Sequence, residues 1–111
     1  MDCVFCKIAN KDTQTKFLYE DDQIVAFDSI EPKAPIHILI IPKKHIASTN
    51  NLEKEDKELV GKIILVAKDL AKEKGISEAG YRLIFNTGKD AGQTVDHIHL
   101  HLIGGIKLSF S

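Results

Sequence analysis

The chain has 111 residues, of which 43% are hydrophobic and 28% are charged, and its formal net charge is −1. This length suits one domain, which we expect over residues 1–111, and the near-neutral charge argues against a nucleic-acid partner. No apolar run reaches the roughly 20 residues of a membrane span, and the opening "MDCVFCKIANKD" lacks the apolar stretch of a secretory signal. We therefore expect a cytoplasmic protein whose partners include neither nucleic acid nor membrane.

The pattern along the chain predicts a short helix, five strands and a long helix. The opening "CVFCKIAN" favours a short helical turn, and strands are predicted at 17–20, 24–27, "IHILIIP", "YRLIFNT" and "VDHIHLHLI". From about residue 53 to residue 74, apolar residues recur at helical spacing, with acids early, lysines late and Gly75 suited to the end. These elements predict an α+β fold in which one long helix packs on an antiparallel meander of about five strands.

The last predicted strand places three of the five histidines at alternate positions. Because a strand alternates its faces, His97, His99 and His101 would share one face, opposite an apolar face. A solvated face needs only polarity, whereas imidazole adds a lone pair and a proton near neutral pH. Such a row could hold a catalytic zinc ion, or one neutral imidazole could attack a substrate while its neighbour handles a proton. The row alone leaves both chemistries open.

A loop with two glycines, "NTGKDAGQT", leads into this strand. Gly88 and Gly92 allow backbone N–H groups to turn toward an anion. Neutral donors are added by Asn86, Gln93 and Thr94. An ordinary hairpin turn would have a similar sequence, but next to three histidines the loop favours binding of a phosphoryl group.

The only two cysteines of the chain, Cys3 and Cys6, have the spacing of a ligand pair. They could form half of a zinc site, a redox pair or two independent thiols. A redox pair is typical of a βαβ context, which the pattern does not predict.

"HIHLHLI" matches the His-φ-His-φ-His-φ-φ signature of the histidine triad (HIT) family, in which φ is hydrophobic, and "AGQTVDHIHLHLIGG" resembles its nucleotide-binding, Hint-like branch. The likeness extends through "DCVFCKI", "APIHILIIPKKHI" and "GYRLIFNTG", which is nearly the whole chain. It implies a HIT-like fold. It also implies an enzyme that hydrolyses or transfers the nucleotidyl group of nucleoside 5′-phosphoramidates or related adenylyl conjugates, with no cofactor required for catalysis.

The resemblance also implies catalytic roles. His99 would attack the α-phosphorus and form a nucleotidyl-histidine that water then resolves. His101 would lie near the phosphate and the leaving group, His37 would support the site as a fourth histidine, and Thr94 would place a hydroxyl beside the leaving group.

In the family, the N-terminal segment and the loop after the second strand hold the nucleoside, with a purine base expected. By position, the apolar residues expected to contact the base are Val4, Phe5, Ile8, Phe27 and Ile30, with Leu39 beneath. The family commonly has an Asp that bonds the ribose hydroxyls three residues before the proline that is Pro32 here. This chain has Ser29 at that position and Asp28 just before it, so either the carboxylate is displaced by one residue or Ser29 replaces it.

Some HIT relatives with the cysteine pair bind zinc with two histidines as well. By position, the resemblance implies a closed structural zinc site of Cys3, Cys6, His45 and His97, which would tie the N-terminal segment to the final strand.

HIT nucleotide-binding proteins are usually homodimers, and the resemblance suggests that two copies meet through "YRLIFNT" and the long helix. The helix has apolar residues outside its main stripe, including Val60 and Ile64, although burial within one domain would give a similar pattern. Many relatives have a basic residue where this chain has Ile106, so their leaving-group preference does not transfer. Two alternative functions are a zinc-dependent hydrolase using the histidine row and a nucleotide-binding or interaction module with little turnover.

Overall fold

A computed structural model describes residues 3–109. Its centre is a five-stranded antiparallel sheet with the strand order β1-β2-β3-β5-β4. The strands are β1 (Tyr19–Glu20), β2 (Ile24–Asp28), β3 (Ile36–Pro42), β4 (Tyr81–Phe85) and β5 (Leu100–Gly104), and the helices are α1 (Val4–Ala9) and α2 (Lys57–Glu73). Short 3-10 turns occupy Thr49–Asn51, Lys54–Asp56 and Lys89–Ala91.

The strand order corrects the predicted meander. Because α2 lies between β3 and β4 in the chain, β4 forms at a distance from β3, and β5 inserts between the two. This insertion places His101 on β5 opposite Leu39 of β3 on one side and Ile84 of β4 on the other. The α+β architecture and the five antiparallel strands are confirmed.

The two faces of the sheet serve different purposes, as strand alternation requires. One face packs on α2 through a buried apolar cluster, and the other carries a smaller cluster beneath α1. The first cluster includes Ile38, Ile40, Ile63, Leu70, Leu100 and Leu102, and the second includes Phe5, Val25, Phe27, Leu39 and Ile41. The opposite side of the sheet from α2 therefore carries the histidines of β3 and β5.

Helix α2 begins later than the predicted residue 53. A capping box between Glu53 and Asp56 closes the preceding 3-10 turn, in which each side chain accepts a hydrogen bond from the backbone N–H of the other residue. The helix ends in a Schellman motif, because the N–H groups of Gly75 and Ile76 donate to the carbonyls of Lys72 and Ala71. Gly75 has φ of +75°, a conformation that glycine adopts without strain. Among residues 3–109, no helix is long and apolar enough to cross a membrane.

Strand β5 begins at Leu100, five residues after the predicted start at residue 95. The segment before it leaves the sheet, and the N–H of Ile98 donates to the carbonyl of Ile46 instead of a strand neighbour. The predicted alternation nevertheless extends through this segment. Ile98 joins the core beneath α2, whereas the three histidine side chains lie on the opposite face.

Candidate active site and metal cluster

A cleft of about 640 Å³ lies on the sheet face opposite α2. It brings together most of the residues that the sequence predicts for a nucleotide site. The predicted base and ribose residues that line it are Val4, Phe5, Ile8, Phe27, Asp28, Ser29, Ile30 and Leu39; the predicted catalytic and phosphate residues that line it are His37, Asn86, Gly92, Thr94, His99 and His101. Of the predicted residues for these functions, Gly88 and Gln93 do not line the cleft.

A backbone hydrogen bond fixes the orientation and tautomer of His99. Its Nδ1 lies 2.7 Å from the carbonyl oxygen of His97, and a carbonyl only accepts, so Nδ1 carries the proton. The lone pair of the neutral ring therefore lies on Nε2. His99 is buried, and Phe5 packs edge-on against its ring with centroids 5.1 Å apart. Burial lowers the pKa of His99, which keeps the imidazole neutral and able to act as a nucleophile at neutral pH.

A second chain of hydrogen bonds fixes His37 and His101. The backbone N–H of Lys33 donates to Nδ1 of His37 at 2.9 Å, so the proton of His37 lies on Nε2. That Nε2–H donates to Nδ1 of His101, also at 2.9 Å, and the proton of His101 consequently lies on its own Nε2. The chain delivers one N–H group of defined orientation to the cleft.

Nε2 of His101 is, among residues 3–109, the buried side-chain nitrogen or oxygen left without a hydrogen-bond partner. A buried donor without an acceptor destabilises the protein by roughly 1–3 kcal/mol, which makes this atom a candidate contact for substrate. Burial, together with His99 and His37, lowers the pKa of His101 to about 4, and burial also lowers the pKa of His37. Both imidazoles are therefore neutral at neutral pH.

The side of the cleft that is predicted to hold the nucleoside is built by α1 and β2. Phe5 and Phe27 meet edge-to-face with ring centroids 5.8 Å apart, and they supply a rigid apolar wall. Ile30 is 95% exposed at the rim, where an apolar ligand surface could cover it. Asp28 and Ser29 both line the cleft, but Oγ of Ser29 accepts the N–H of Glu31 at 3.2 Å. The carboxylate of Asp28 is thus the freer acceptor for hydroxyl groups.

The side chain of Gln93 stabilises the glycine-containing loop before β5 and does not face the cleft. The side chain of Gln93 donates to the carbonyls of Ala47 and Val95 and accepts the N–H of Gly88. These bonds occupy the amide that the sequence assigned to phosphate, and they explain why Gln93 does not reach the cleft. Gly92 has φ of +88°, which lets the backbone turn sharply beside Thr94.

The four predicted metal ligands lie close together, where Nδ1 of His97 faces the two cysteines. The Sγ atoms of Cys3 and Cys6 and Nδ1 of His45 and His97 all lie within 4.8 Å of one another. The individual separations include 3.2 Å between the two Nδ1 atoms and 3.3 Å between Cys3 Sγ and His97 Nδ1. A tetrahedral zinc ion with bonds of about 2.0–2.3 Å would separate its ligands by roughly 3.3–3.8 Å.

The surroundings of this cluster also suit a divalent ion. His97 is fully buried, and its Nε2–H donates to the carbonyl of Pro42 at 2.8 Å, so its Nδ1 presents a lone pair to the cysteines. Burial raises the pKa of the Cys6 thiol, and a cation would oppose this by stabilising the thiolate. The cluster is therefore compatible with zinc in its geometry and in its chemistry.

Known proteins are similar to this chain over almost its whole length. A family model described as "Scavenger mRNA decapping enzyme C-term binding" matches residues 2–109. The crystal structure of a HIT family hydrolase from Legionella pneumophila Philadelphia 1 is 50% identical, covers 98% of this chain and 97% of its own, and superposes with a TM-score of 0.96. The chain belongs to the histidine triad family.

Two further HIT relatives bear on the site. The purine nucleoside phosphoramidase of Escherichia coli K12 is 45% identical over 102 residues, which are 92% of this chain and 86% of the relative. A zinc-bound histidine triad family protein from Mycobacterium smegmatis is 35% identical, covers 99% of this chain and 81% of its own, and has a TM-score of 0.82.

Several cleft residues of this HIT chain were missed from the sequence. Strand alternation from His101 could have found Ile103, and knowledge of the strand order would have added Ile84, which lies opposite His101. Thr15, Glu31 and Lys33 lie in irregular segments, where the sequence has no periodicity that indicates direction.

Proposed function

We propose that this HIT protein hydrolyses nucleoside 5′-phosphoramidates or related nucleotidyl conjugates through a covalent nucleotidyl-His99 intermediate. The observation that carries the proposal is the hydrogen bond from His99 Nδ1 to the His97 carbonyl, because it leaves the Nε2 lone pair as the reactive position. The E. coli relative, a purine nucleoside phosphoramidase, supports a purine nucleotide with a phosphorus–nitrogen bond as the substrate.

The reaction has two steps. His99 Nε2 forms a bond to the α-phosphorus while the bond from phosphorus to the amine nitrogen breaks. The departing nitrogen, which accepts a hydrogen bond from Nε2–H of His101, takes a proton from a water molecule and leaves as the neutral amine. The hydroxide that remains attacks the phosphorus and displaces His99 as neutral imidazole, so His101 stays neutral throughout. The hydrogen bonds from Lys33 through His37 hold His101 in the tautomer that both steps require.

The remaining residues of the cleft bind and orient the nucleotide. Phe5, Ile8, Phe27 and Ile30 would contact the base, and Asp28 with Ser29 would bond the ribose hydroxyls. Phosphate oxygens would be held by Asn86, Thr94 and the backbone at Gly92, with Gln93 acting as the brace of that loop.

We further propose that Cys3, Cys6, His45 and His97 bind a structural zinc ion. The near-tetrahedral separations and the zinc-bound mycobacterial relative support this assignment. Four protein ligands would close the coordination sphere, so the ion would stabilise the fold without binding substrate. A cytoplasmic location suits two thiols that must remain reduced.

The two alternative functions fit the geometry less well. A hydrolase with catalytic zinc on the histidine row would need Nδ1 or Nε2 of all three rings at one point. Instead, His97 directs Nδ1 to the cysteines, and Nδ1 of His101 is occupied by His37. A binding module with little turnover would have no use for a free lone pair on His99 beside an unpaired N–H on His101, whose ring centroids are 4.9 Å apart.

A second copy of the chain is the partner we propose on the side of β4. β4 is an edge strand with an unpaired backbone edge, and all five of its residues are partly exposed. On α2, Ile64 and Leu65 are 42% and 55% exposed beside Gly61, whose missing side chain would allow close approach. A homodimer would cover both surfaces.

The configuration at phosphorus tests the covalent route. With an adenosine phosphoramidate made chiral at phosphorus, two successive displacements retain the configuration, whereas direct attack by water inverts it. His99→Ala should lower turnover by about 10³-fold or more and leave AMP affinity within a few-fold of the wild type. Inversion by the wild type, or substantial turnover by His99→Ala, would contradict the proposal.

A further inference from the structure

The strand order gives the cleft two chemically different ends. The nucleoside end is formed by α1 and β2, with Phe5, Phe27 and Asp28. The β4 end is formed by Ile84, and Arg82 lies on the same face of β4. This strand is three strand positions away from β2, at roughly 14 Å. The histidines of β3 and β5 lie between the two ends.

An in-line reaction directs the leaving group along β5 toward Ile103, which is paired with Arg82 of β4. His99, His101 and Ile103 follow one another along the same face of the chain, and the last of them lines the cleft. In an in-line displacement, the leaving group departs on the side of phosphorus opposite the nucleophile. Because His101 of β5 follows His99 along the chain, attack by His99 with a hydrogen bond from His101 to the departing nitrogen directs the amine along the strand toward Ile103.

Arg82 lies beside this exit on the cleft face of β4. It is directly opposite Ile103 in the antiparallel register, and Ile103 is in turn opposite His37. The alternate residues of β4 confirm its direction, because Tyr81 and Leu83 pack on the core beneath α2, whereas Ile84 lines the cleft.

The guanidinium of Arg82 donates one hydrogen bond to the described part of the chain, which leaves further N–H groups for a ligand. Its Nη1 donates to the carbonyl of Ser109 at 2.6 Å, which anchors the chain after β5 and steadies the arginine. Among residues 3–109, no carboxylate lies within ion-pair distance of it, since the ion pairs all involve lysines. A guanidinium carries five N–H donors in a planar fork, which suits a carboxylate or phosphate group.

Lys33 adds a second positive charge on the other flank of the same row. It lines the cleft, its backbone N–H binds His37, and its ammonium is close enough to contribute to the lowered pKa of His37. The acidic residues of the cleft are Asp28 of β2 and Glu31, which lies in the same loop as Lys33. Arg82 is therefore the positive charge beside Ile103 that lies apart from these acids.

We propose that the β4 end of the cleft is a subsite for an anionic leaving group, in which Arg82 binds a carboxylate or phosphate carried by the departing amine and Lys33 assists. This inference rests on the proposed phosphoramidate hydrolysis and specifies its substrates. Pairing of two copies along the backbone edge of β4 would leave this face of the strand directed to the cleft.

Three matched substrates test the subsite. Adenosine 5′-phosphoramidates of propylamine, β-alanine and 2-aminoethyl phosphate have the same amine linkage and differ in the charge at the far end. The wild type should show a kcat/KM about tenfold or more higher for the two anionic derivatives. Arg82→Gln should remove most of that preference, and Lys33→Gln should remove a smaller part, because an ammonium binds as a point charge.

The control variant is Lys72→Gln, which removes an exposed charge from α2, remote from the cleft. It should retain the full preference. The derivative that loses more rate in Arg82→Gln identifies whether carboxylate or phosphate is the natural anion, and either result supports the subsite. An equal loss for all three derivatives, or a wild type without preference for the anions, would overturn it.

Two further outcomes distinguish a failure of the proposed subsite from a failure of the proposed function. If the wild type hydrolyses none of the three derivatives, the proposed function itself is wrong, whatever the role of Arg82. If Arg82→Gln does not fold, the wild type alone decides, because rising salt should weaken its preference for the anionic derivatives much more than its rate with the propylamine derivative. A preference insensitive to salt would count against the subsite.

Discussion

Backbone groups, more than side chains, define the chemistry of the histidines at the residue scale. The carbonyl of His97 and the N–H of Lys33 each bind a ring nitrogen, and together they determine the tautomers of His99, His37 and His101. The sequence identified the histidines because their alternation and the family signature are local. It could not identify Lys33, whose contribution is a backbone N–H that any residue except proline could supply.

The stability of the protein should report the partly buried, neutral state of His101. Its pKa is about 4 in the folded chain and near 6.5 when unfolded, so between these values the unfolded chain binds more protons. Stability should therefore fall as the pH drops from about 6.5 to about 4, and His101 alone should contribute up to roughly 3 kcal/mol of that loss. Urea unfolding across this range measures it.

The matched variant is His101→Gln, whose side-chain oxygen can still accept from His37 but cannot be protonated in this range. Its stability should fall less steeply with decreasing pH than that of the wild type. Burial also lowers the pKa of His37 and His99, so part of the slope should remain in the variant. Parallel curves for the two proteins would show that His101 is not the group responsible.

At the scale of single elements, the short helix α1 connects the metal cluster to the cleft. It has only six residues, too few to be stable in isolation, and it carries Cys6 on one side and Phe5 on the other. Cys3 caps its first turn by accepting the N–H of Cys6. The position of Phe5 in the cleft therefore depends on what holds the two cysteines.

Removal of zinc should consequently loosen α1. The purified protein is expected to contain about one zinc per chain, and a strong chelator should lower the melting temperature by about 5 °C or more, which corresponds to roughly 1 kcal/mol in a domain of this size. Hydrogen exchange should rise in residues 4–9, and AMP affinity should fall because Phe5 and Ile8 lose their position.

The control for this experiment is the double variant Cys3→Ser and Cys6→Ser. It should contain little zinc, melt near the temperature of the chelated wild type and show no further response to chelator. Wild-type protein that contains no zinc, or whose melting temperature and exchange are unchanged by the chelator, would contradict the structural role of the cluster.

Elements with a strong local signal were predictable to within a few residues. Strand β3 has the bounds that "IHILIIP" indicates, and α2 was displaced only at its start, where the capping box favours a 3-10 turn. The start of β5 was not predictable in this way. Ile98 is apolar and alternates correctly, but it bonds Ile46 across the fold, and nothing local in the sequence reveals such a partner.

The order of the strands organises the whole molecule. Because β5 lies between β3 and β4, His99 and His101 occupy the middle of the sheet face, with an apolar wall on one side and Arg82 on the other. This arrangement also leaves β4 as an edge. A local pattern predicts each strand but not its neighbours in the sheet. The chemical difference between the two ends of the cleft could therefore be seen only in the structure.

The exposed edge of β4 and the apolar patch on α2 lead to a prediction about assembly. If a second copy covers Gly61, Ile64 and Leu65, replacing Leu65 with a charged residue would bury an unpaired charge in the interface. Light scattering should then show a dimer for the wild type and a monomer for Leu65→Glu, while Lys16→Glu, an exposed charge change elsewhere, should remain dimeric. AMP should still bind to the Leu65→Glu monomer, because the nucleoside end is formed within one chain. A monomeric wild type, or a Leu65→Glu variant that remains a dimer, would show that this patch is not the interface.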